Sequence, residues 1–261
     1  MPIYDKPTRV LMHEFAKTEL KPGQVFDKDL AVRWFKANFP KIKSNTVQMH
    51  VDGMAANSRS RIHHVSIRPG SGHDLFYKVG RSQYRLWDPA HDGAPIYHGD
   101  KASQLRPAAS GEDADEEREE ALADTAGVES PSREFGAEAD LRNYLEKNIS
   151  ALEPGLTLHE EEGLRAIEYP AGNGRRIDIL ARGADGAFVV VELKVSRGYD
   201  RVIGQIMRYM AWVKANLAED KPVRGIIVAN NISEDLKLAT SLISGVRLVE
   251  YELHFRLKPI G

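Results

Sequence analysis

The segment GRRIDILARGADGAFVVVELKVS, residues 174–196, reads as two β-strands joined by a tight turn. Polar and apolar side chains alternate from Arg175 to Arg182, Gly183-Ala184-Asp185-Gly186 supplies the turn, and Ala187 to Val195 is a β-branched run long enough for a buried strand. Glu192 and Lys194 are two apart and so share a face of the second strand. Asp178 on the first strand projects from the same edge of the hairpin. Val189, Val190, Val191 and Leu193 make this strand an interior one, where unpaired charge is costly. Two carboxylates there suit a hard cation such as Mg²⁺, which keeps several waters and accepts phosphate oxygens. A cation so placed polarises a phosphoryl group and lowers the pKa of a bound water, while a neighbouring ammonium offsets the charge of the transition state. The chemistry suggested is metal-dependent phosphodiester cleavage. The same three residues would equally serve as an ion pair on an exposed hairpin, so they do not decide the matter alone.

The flanking helices narrow the choice. DRVIGQIMRYMAWVKANLAE (200–219) is amphipathic, with Val202, Ile206, Met210 and Val213 at helical spacing. Gln205 and Tyr209 lie four apart on a neighbouring face, as surface residues or as the lining of a cleft beside the hairpin. EFGAEADLRNYLEKNISALEPG (134–155) is a second helix, with Glu138 and Asp140 near its start and Leu141, Tyr144 and Leu145 behind them.

From about Glu134 to the C-terminus the chain resembles the nuclease domain of the NucS (EndoMS) endonucleases, within the PD-(D/E)XK superfamily that includes many restriction enzymes. The residues that carry the resemblance are Glu138 in EADLRNYL, Asp178 in GRRIDIL, Glu192 and Lys194 in VVVELK, and the pair Gln205 and Tyr209. Ile177 stands where the superfamily's name puts proline. The resemblance implies that Asp178, Glu192 and the Leu193 carbonyl bind Mg²⁺, with Mn²⁺ as a substitute. It implies further that Lys194 assists the attacking water, that Glu138 acts through water or a second metal, and that Gln205 and Tyr209 support the site or the DNA strand. The implied fold is α/β: a restriction-endonuclease-like mixed sheet flanked by helices, of the αβββαβ type.

Composition separates three segments. Residues 1–102 hold 16 Lys+Arg against 10 Asp+Glu, residues 103–133 hold 3 against 9, and residues 134–261 hold 17 against 19. The middle segment is poor in large apolar groups and cannot bury enough surface to offset ordering entropy, so a flexible acidic tether is expected at 103–133. Cysteine is absent, which excludes a disulfide framework and thiolate metal sites. No apolar run approaches the roughly 18 residues of a membrane span, and the N-terminus has no signal-peptide core. The expectation is a cytoplasmic protein without a membrane partner.

The basic first segment predicts three helices and a hairpin. TRVLMHEFAKTEL takes Thr8 as N-cap, a second helix starts near Asp27 or Asp29 and ends before Pro40, and a third is capped by Ser44. DLFYKVG and QYRLWDP then flank a turn at Arg81-Ser82. This order resembles the winged helix-turn-helix superfamily by pattern, as a smaller α+β domain over residues 1–102. There the third helix enters the major groove and the wing meets the backbone. Asn45, Thr46, Gln48 and Met49 would read base edges. Arg59, Arg61, Arg81 and Arg85, together with Arg176 beside the nuclease hairpin, would meet DNA. The alternative is a protein-docking or dimerisation module. His63, His64 and His73 read as solvated or DNA-facing rather than as zinc ligands, and Trp34 and Trp87 as core aromatics rather than a modified-base cage.

The expectation is a DNA endonuclease, restriction-like and extending to modification-dependent recognition, with double-stranded DNA as partner and a homodimer for double-strand cutting. NucS-type repair enzymes carry another N-terminal domain, with no match here. A mismatch or flap repair enzyme is the alternative, and a non-catalytic DNA-binding regulator the alternative from another class.

Overall fold

The computed structural model describes residues 4–98, 100, 131–172, 175–194 and 199–252. The acidic tether expected at 103–133 lies almost wholly outside them. In chain order the helices and strands are α1 (Thr8–Glu19), β1 (Phe26–Asp27), α2 (Lys28–Asn38), α3 (Ser44–Gly53), β2 (Phe76–Gly80), β3 (Gln83–Leu86), α4 (Pro131–Lys147), β4 (Thr157–Leu158), β5 (Glu160–Glu161), β6 (Leu164–Arg165), β7 (Ile167–Pro170), β8 (Arg176–Arg182), β9 (Phe188–Lys194), α5 (Tyr199–Asn216), β10 (Val223–Ala229), α6 (Glu234–Ser241) and β11 (Val246–Glu250). They form two compact units. One is Met1–Gly127 together with His159–Arg176, and the other is Val128–Leu158 together with Ile177–Gly261. The stretch 159–176, within the expected 134–261 segment, packs with the N-terminal unit.

That unit is built on an aromatic core. Phe15, Phe35, Phe76 and Tyr84 are fully buried, and Phe15 meets Phe26 edge-on at 5.7 Å between ring centroids. Truncating a phenylalanine so enclosed costs about 3–5 kcal/mol. β1, β3 and β2 form an antiparallel sheet in that order. The hairpin turns at Arg81-Ser82, with Ser82 at φ 55°. Asp27 caps α2 by accepting the Leu30 N–H at 2.8 Å. The expected caps of the other two helices are displaced by one residue: Pro7 and Lys43 occupy the N-cap positions, and neither supplies a side-chain cap. Thr8 instead donates both its N–H and its hydroxyl to Glu162, each at 2.8 Å.

Buried polar groups tie 159–176 to α3. Glu161 accepts from the Thr46 hydroxyl at 2.6 Å, the Tyr169 hydroxyl at 2.7 Å and the Asn45 amide at 3.3 Å, and Asn45 also reaches the Tyr169 hydroxyl. Leu164 is fully buried and its methyls lie 3.5 and 3.6 Å from the Cβ position of Gly53. Asp52 forms a second knot, with Lys28 Nζ and the Tyr84 hydroxyl each at 2.6 Å and Arg176 at 3.3 Å. Burial acts to raise the Asp52 pKa, but Lys28 and Arg176 outweigh it and hold the carboxyl well below the usual range.

The second unit is a mixed sheet flanked by helices, with strand order β11-β10-β9-β8-β4. β10 runs parallel to both β9 and β11, while β8 is antiparallel to β9 and β4 to β8. Every residue of β9 except Lys194 is buried, which explains its unbroken valine run. Gly186, at φ 79°, closes the β8–β9 turn as the sequence required. α5 lies tight on β10 because Gly225 has no side chain: a Cβ there would stand 2.7 Å from Ile206 Cδ1.

Candidate active site

The β8–β9 ladder pairs Arg182 with Phe188 and ends where Ile179 meets Val191. One residue further on, the Asp178 carboxylate takes over from the backbone and accepts the Leu193 N–H at 2.8 Å. This places Asp178 against the strand that carries Glu192 and Lys194. Glu192 is 1% exposed with both oxygens buried, and Lys194 Nζ stands 3.1 Å from its Oε1.

The electrostatics follow from that enclosure. Burial, then the Asp178 charge, pushes the Glu192 carboxyl well above its ordinary pKa, with Glu138 adding to the rise and Lys194 opposing it. Lys194 would be lowered by burial, but Glu192, Asp178 and Glu138 surround it with negative charge and keep it firmly protonated. Glu138 on α4 is half-buried, whereas Asp140, two residues on, is exposed. On α5, Gln205 Nε2 reaches the Tyr209 hydroxyl at 3.4 Å. Tyr209 is 4% exposed, and burial with the charges of Glu192 and Asp178 pushes its phenol up to about 12 despite the Gln205 contact. The six side chains named from the sequence thus gather around one edge of the β8–β9 hairpin.

One residue here was missed. Arg142 Nη2 stands 3.7 Å from Asp178 Oδ1, with its side chain 14% exposed. It lies four residues after Glu138 on α4 and shares that face of the helix. The available signal was this i,i+4 spacing, which points into the site only once α4 is docked against β9.

A divalent cation fits these residues. A buried carboxylate facing a second carboxylate across a hairpin is a ready pair of hard oxygen ligands. Asp178 and Glu192 would hold it.

Residues 137–252 match the family described as Endonuclease NucS C-terminal domain. Much of the second half of the chain is thus similar to the NucS C-terminal domain. Among its relatives is Endonuclease NucS of Frankia alni, 36% identical over 145 residues that make up 54% of this chain and 62% of that one. Endonuclease NucS of Micrococcus luteus is 40% identical over 119 residues, 44% of this chain and 47% of that one. The chain therefore spans less than two thirds of the length of these curated relatives. Two solved structures align with about half of it: a repair endonuclease from Pyrococcus abyssi, with 24% identity, 49% of this chain and 50% of that chain covered and a TM-score of 0.37, and an EndoMS–dsDNA complex, with 23% identity, 50% of each chain covered and a TM-score of 0.38. Residues 7–86 match a separate family, described as a domain of unknown function (DUF7669). The NucS-like match runs through 159–176, although that stretch packs with the N-terminal unit.

The residues expected to read DNA fare differently. Asn45 and Thr46 are buried at 6% and 8% exposure and spent on Glu161, and Met49 is buried as well. That corrects the expectation of a base-reading start to α3, because their polar atoms already satisfy an internal carboxylate. Arg61 is fully buried, ion-paired with Asp74 and stacked on the Tyr97 ring, so it is structural. Arg85 is held by Asp92, and Arg176 by Asp52. Arg59 and Arg81 are exposed and Gln48 is half-buried. His63, His64 and His73 are buried at 4–5% exposure, against the expectation of solvated or DNA-facing rings. Trp34 packs among Phe15, Phe35 and Phe39, and Trp87 is half-buried.

Proposed function

We propose that the chain is a DNA endonuclease of the NucS type, acting in repair on mismatched or branched duplexes. The observation that carries this reading is the buried Glu192 carboxylate beside Asp178 and Lys194, in a stretch that matches a family named for an endonuclease. Asp178 and Glu192 are to hold Mg²⁺, or Mn²⁺ in its place, together with the Leu193 carbonyl. When bound, the cation supplies a Lewis acid for the phosphoryl oxygens and an acidified water. Lys194, kept protonated by three carboxylates, donates to the charge that builds on the phosphate rather than abstracting a proton. Glu138 orients water from α4, and Gln205 and Tyr209 line the strand's approach from α5. One such centre cuts one strand, so double-strand scission takes two copies of the chain.

A second reading, restriction or modification-dependent cleavage, is favoured by the N-terminal unit, whose family match is separate from the nuclease and whose segment is basic. The winged-helix reading of that unit rests on its α-β-α-α-β-β order. The deciding experiment incubates the protein and Mg²⁺ with matched, mismatched, flapped and methylated duplexes and maps the ends. Cuts confined to mismatches or flaps support repair, and discrete cuts in intact or methylated duplex support the second reading. No cut in any substrate, with DNA still bound, would leave a binding protein and sink the nuclease proposal.

A further inference from the structure

A cleft of about 1030 Å³ opens in the N-terminal unit, between the start of α1, the C-terminal half of α3, the loop 65–73 and the β5–β6 hairpin. Its walls are pinned from several sides. Arg9 donates to the Ser71 carbonyl, His13 Nε2 lies 2.8 Å from the Gly72 carbonyl, and Ser66 donates to the Gly163 carbonyl at 2.9 Å. Gly70 and Gly72, at φ 75° and 78°, permit the loop's turns. A cleft so held is preformed, and its size is at the upper end of those that take small ligands.

Its lining selects an unusual ligand. Arg9, Arg68 and Arg165 bring guanidinium groups, which match phosphate geometry. At its inner wall the pattern reverses. His50 is 1% exposed, and its Nδ1 lies 2.8 Å from the Thr46 carbonyl. A carbonyl only accepts, so Nδ1 carries the proton and Nε2 presents a lone pair. Burial holds the ring below its ordinary pKa and therefore neutral at pH 7. That lone pair faces Glu162 Oε2 at 3.6 Å; the carboxylate also accepts from Thr8, but no proton lies between it and the imidazole, and each has a lone pair left to accept. Glu160 adds another carboxylate to the lining. A simple anion is repelled by this wall. A metal ion is disfavoured by the arginines, and the described residues contain no group of three or more His, Asp or Glu side chains placed to hold one. The complement is a molecule with a phosphate at one end and a neutral N–H₂ edge at the other. Among the described residues no Phe, Tyr or Trp lines the cleft, so recognition falls to edges rather than stacking.

We propose that this cleft binds a nucleotide, its phosphate on Arg9, Arg68 and Arg165 and the amino edge of a cytosine or adenine between His50 Nε2 and Glu162. The assignment rests on the reading that the N-terminal unit recognises nucleic acid, and not on the cleavage chemistry. The test is calorimetric titration of the full chain in EDTA, where no cleavage occurs, with dCMP, dAMP, dTMP and deoxyribose 5-phosphate. The expected result is saturable binding of dCMP or dAMP roughly tenfold tighter than dTMP or the sugar phosphate, the worth of one good hydrogen bond to a charged acceptor. Arg68→Ala, at an exposed position that leaves the fold intact, should weaken all phosphate ligands together. His50→Phe should erase the preference among bases; if that variant does not fold, the dCMP-to-dTMP ratio on the native protein decides. Equal affinity for all four ligands, no saturable binding, or an unchanged Kd in Arg68→Ala overturns the proposal. None of those outcomes touches the nuclease reading, which the mapped-ends experiment tests separately.

Discussion

Glu192 is the residue on which the proposed C-terminal chemistry turns. A carboxylate buried beside another carboxylate, a cost that the Lys194 ammonium opposes only in part, gains from the arrival of a further cation or a proton. Mg²⁺ should therefore raise the melting temperature of the native protein by mass action. Glu192→Gln should abolish both that shift and cleavage while DNA binding persists. Retained Mg²⁺-dependent activity in this variant would remove Glu192 from the site. Much of this centre was legible beforehand, since strand alternation alone puts Glu192 and Lys194 on one face and a turn of four residues sets Asp178 opposite. Arg142 was not, because the face a helix shows to a sheet is settled by docking, which no local spacing encodes. Asn45 and Thr46 failed for a related reason: a polar residue at a helix start looks the same whether it awaits a base or a carboxylate 116 or 115 residues away.

Among the elements, α5 approaches β10 closely at Gly225, and α3 is tied down by hydrogen bonds to Glu161. Gly225→Ala would push a methyl onto Ile206 and Met210 and lift α5, the helix that carries Gln205 and Tyr209. A destabilisation of about 1–3 kcal/mol is expected in urea unfolding, with a fall in kcat larger than any change in KM. On α3, Thr46→Val removes a hydrogen bond to a buried carboxylate and should cost about 1.5–3 kcal/mol. The same region sets an acid limit. Burial, with Arg9 next in weight, depresses His73 to about 4, and burial depresses His50 as well, so the unfolded chain binds their protons first. Stability from these rings is complete above pH 6.5 and declines as pH falls below it, the His73 share being lost through about 4. Burial alone would raise Glu161, but hydrogen bonds from His159, Thr46 and Tyr169 outweigh it and hold the carboxyl at about 2. Its contribution, present above pH 4.5, fades last. Circular dichroism melts from pH 7 to pH 2 should show this sequence, and a flat profile between pH 6.5 and 4 would contradict it.

For the whole molecule, the basic first segment and the nuclease motifs were visible as separate stretches, and the discontinuity of the N-terminal unit was not. Periodicity describes each strand of 159–176 but says nothing about which core it joins. A truncation that removes residues 1–102 would strip Glu161, Leu164 and Tyr169 of their partners on α3. Such a fragment is expected to aggregate or to melt well below the full chain in size-exclusion and thermal assays. Full solubility with a native-like melt would mean that 159–176 can fold without α3.

The path of the chain also bears on inheritance. Because the polypeptide enters the N-terminal unit twice, that unit is encoded in two places, one of them between helix α4 of the second unit and its Asp178 strand. Exchanging the front half by recombination therefore breaks a matched pair unless the later stretch changes in step. Homologues that keep Asp178, Glu192 and Lys194 under a different front half should carry a different 159–176, and those that share this front half should keep Glu161 wherever they keep Asn45 and Thr46. The region just upstream of the Asp178 strand then serves as a pedigree mark for the first part of the N-terminal unit.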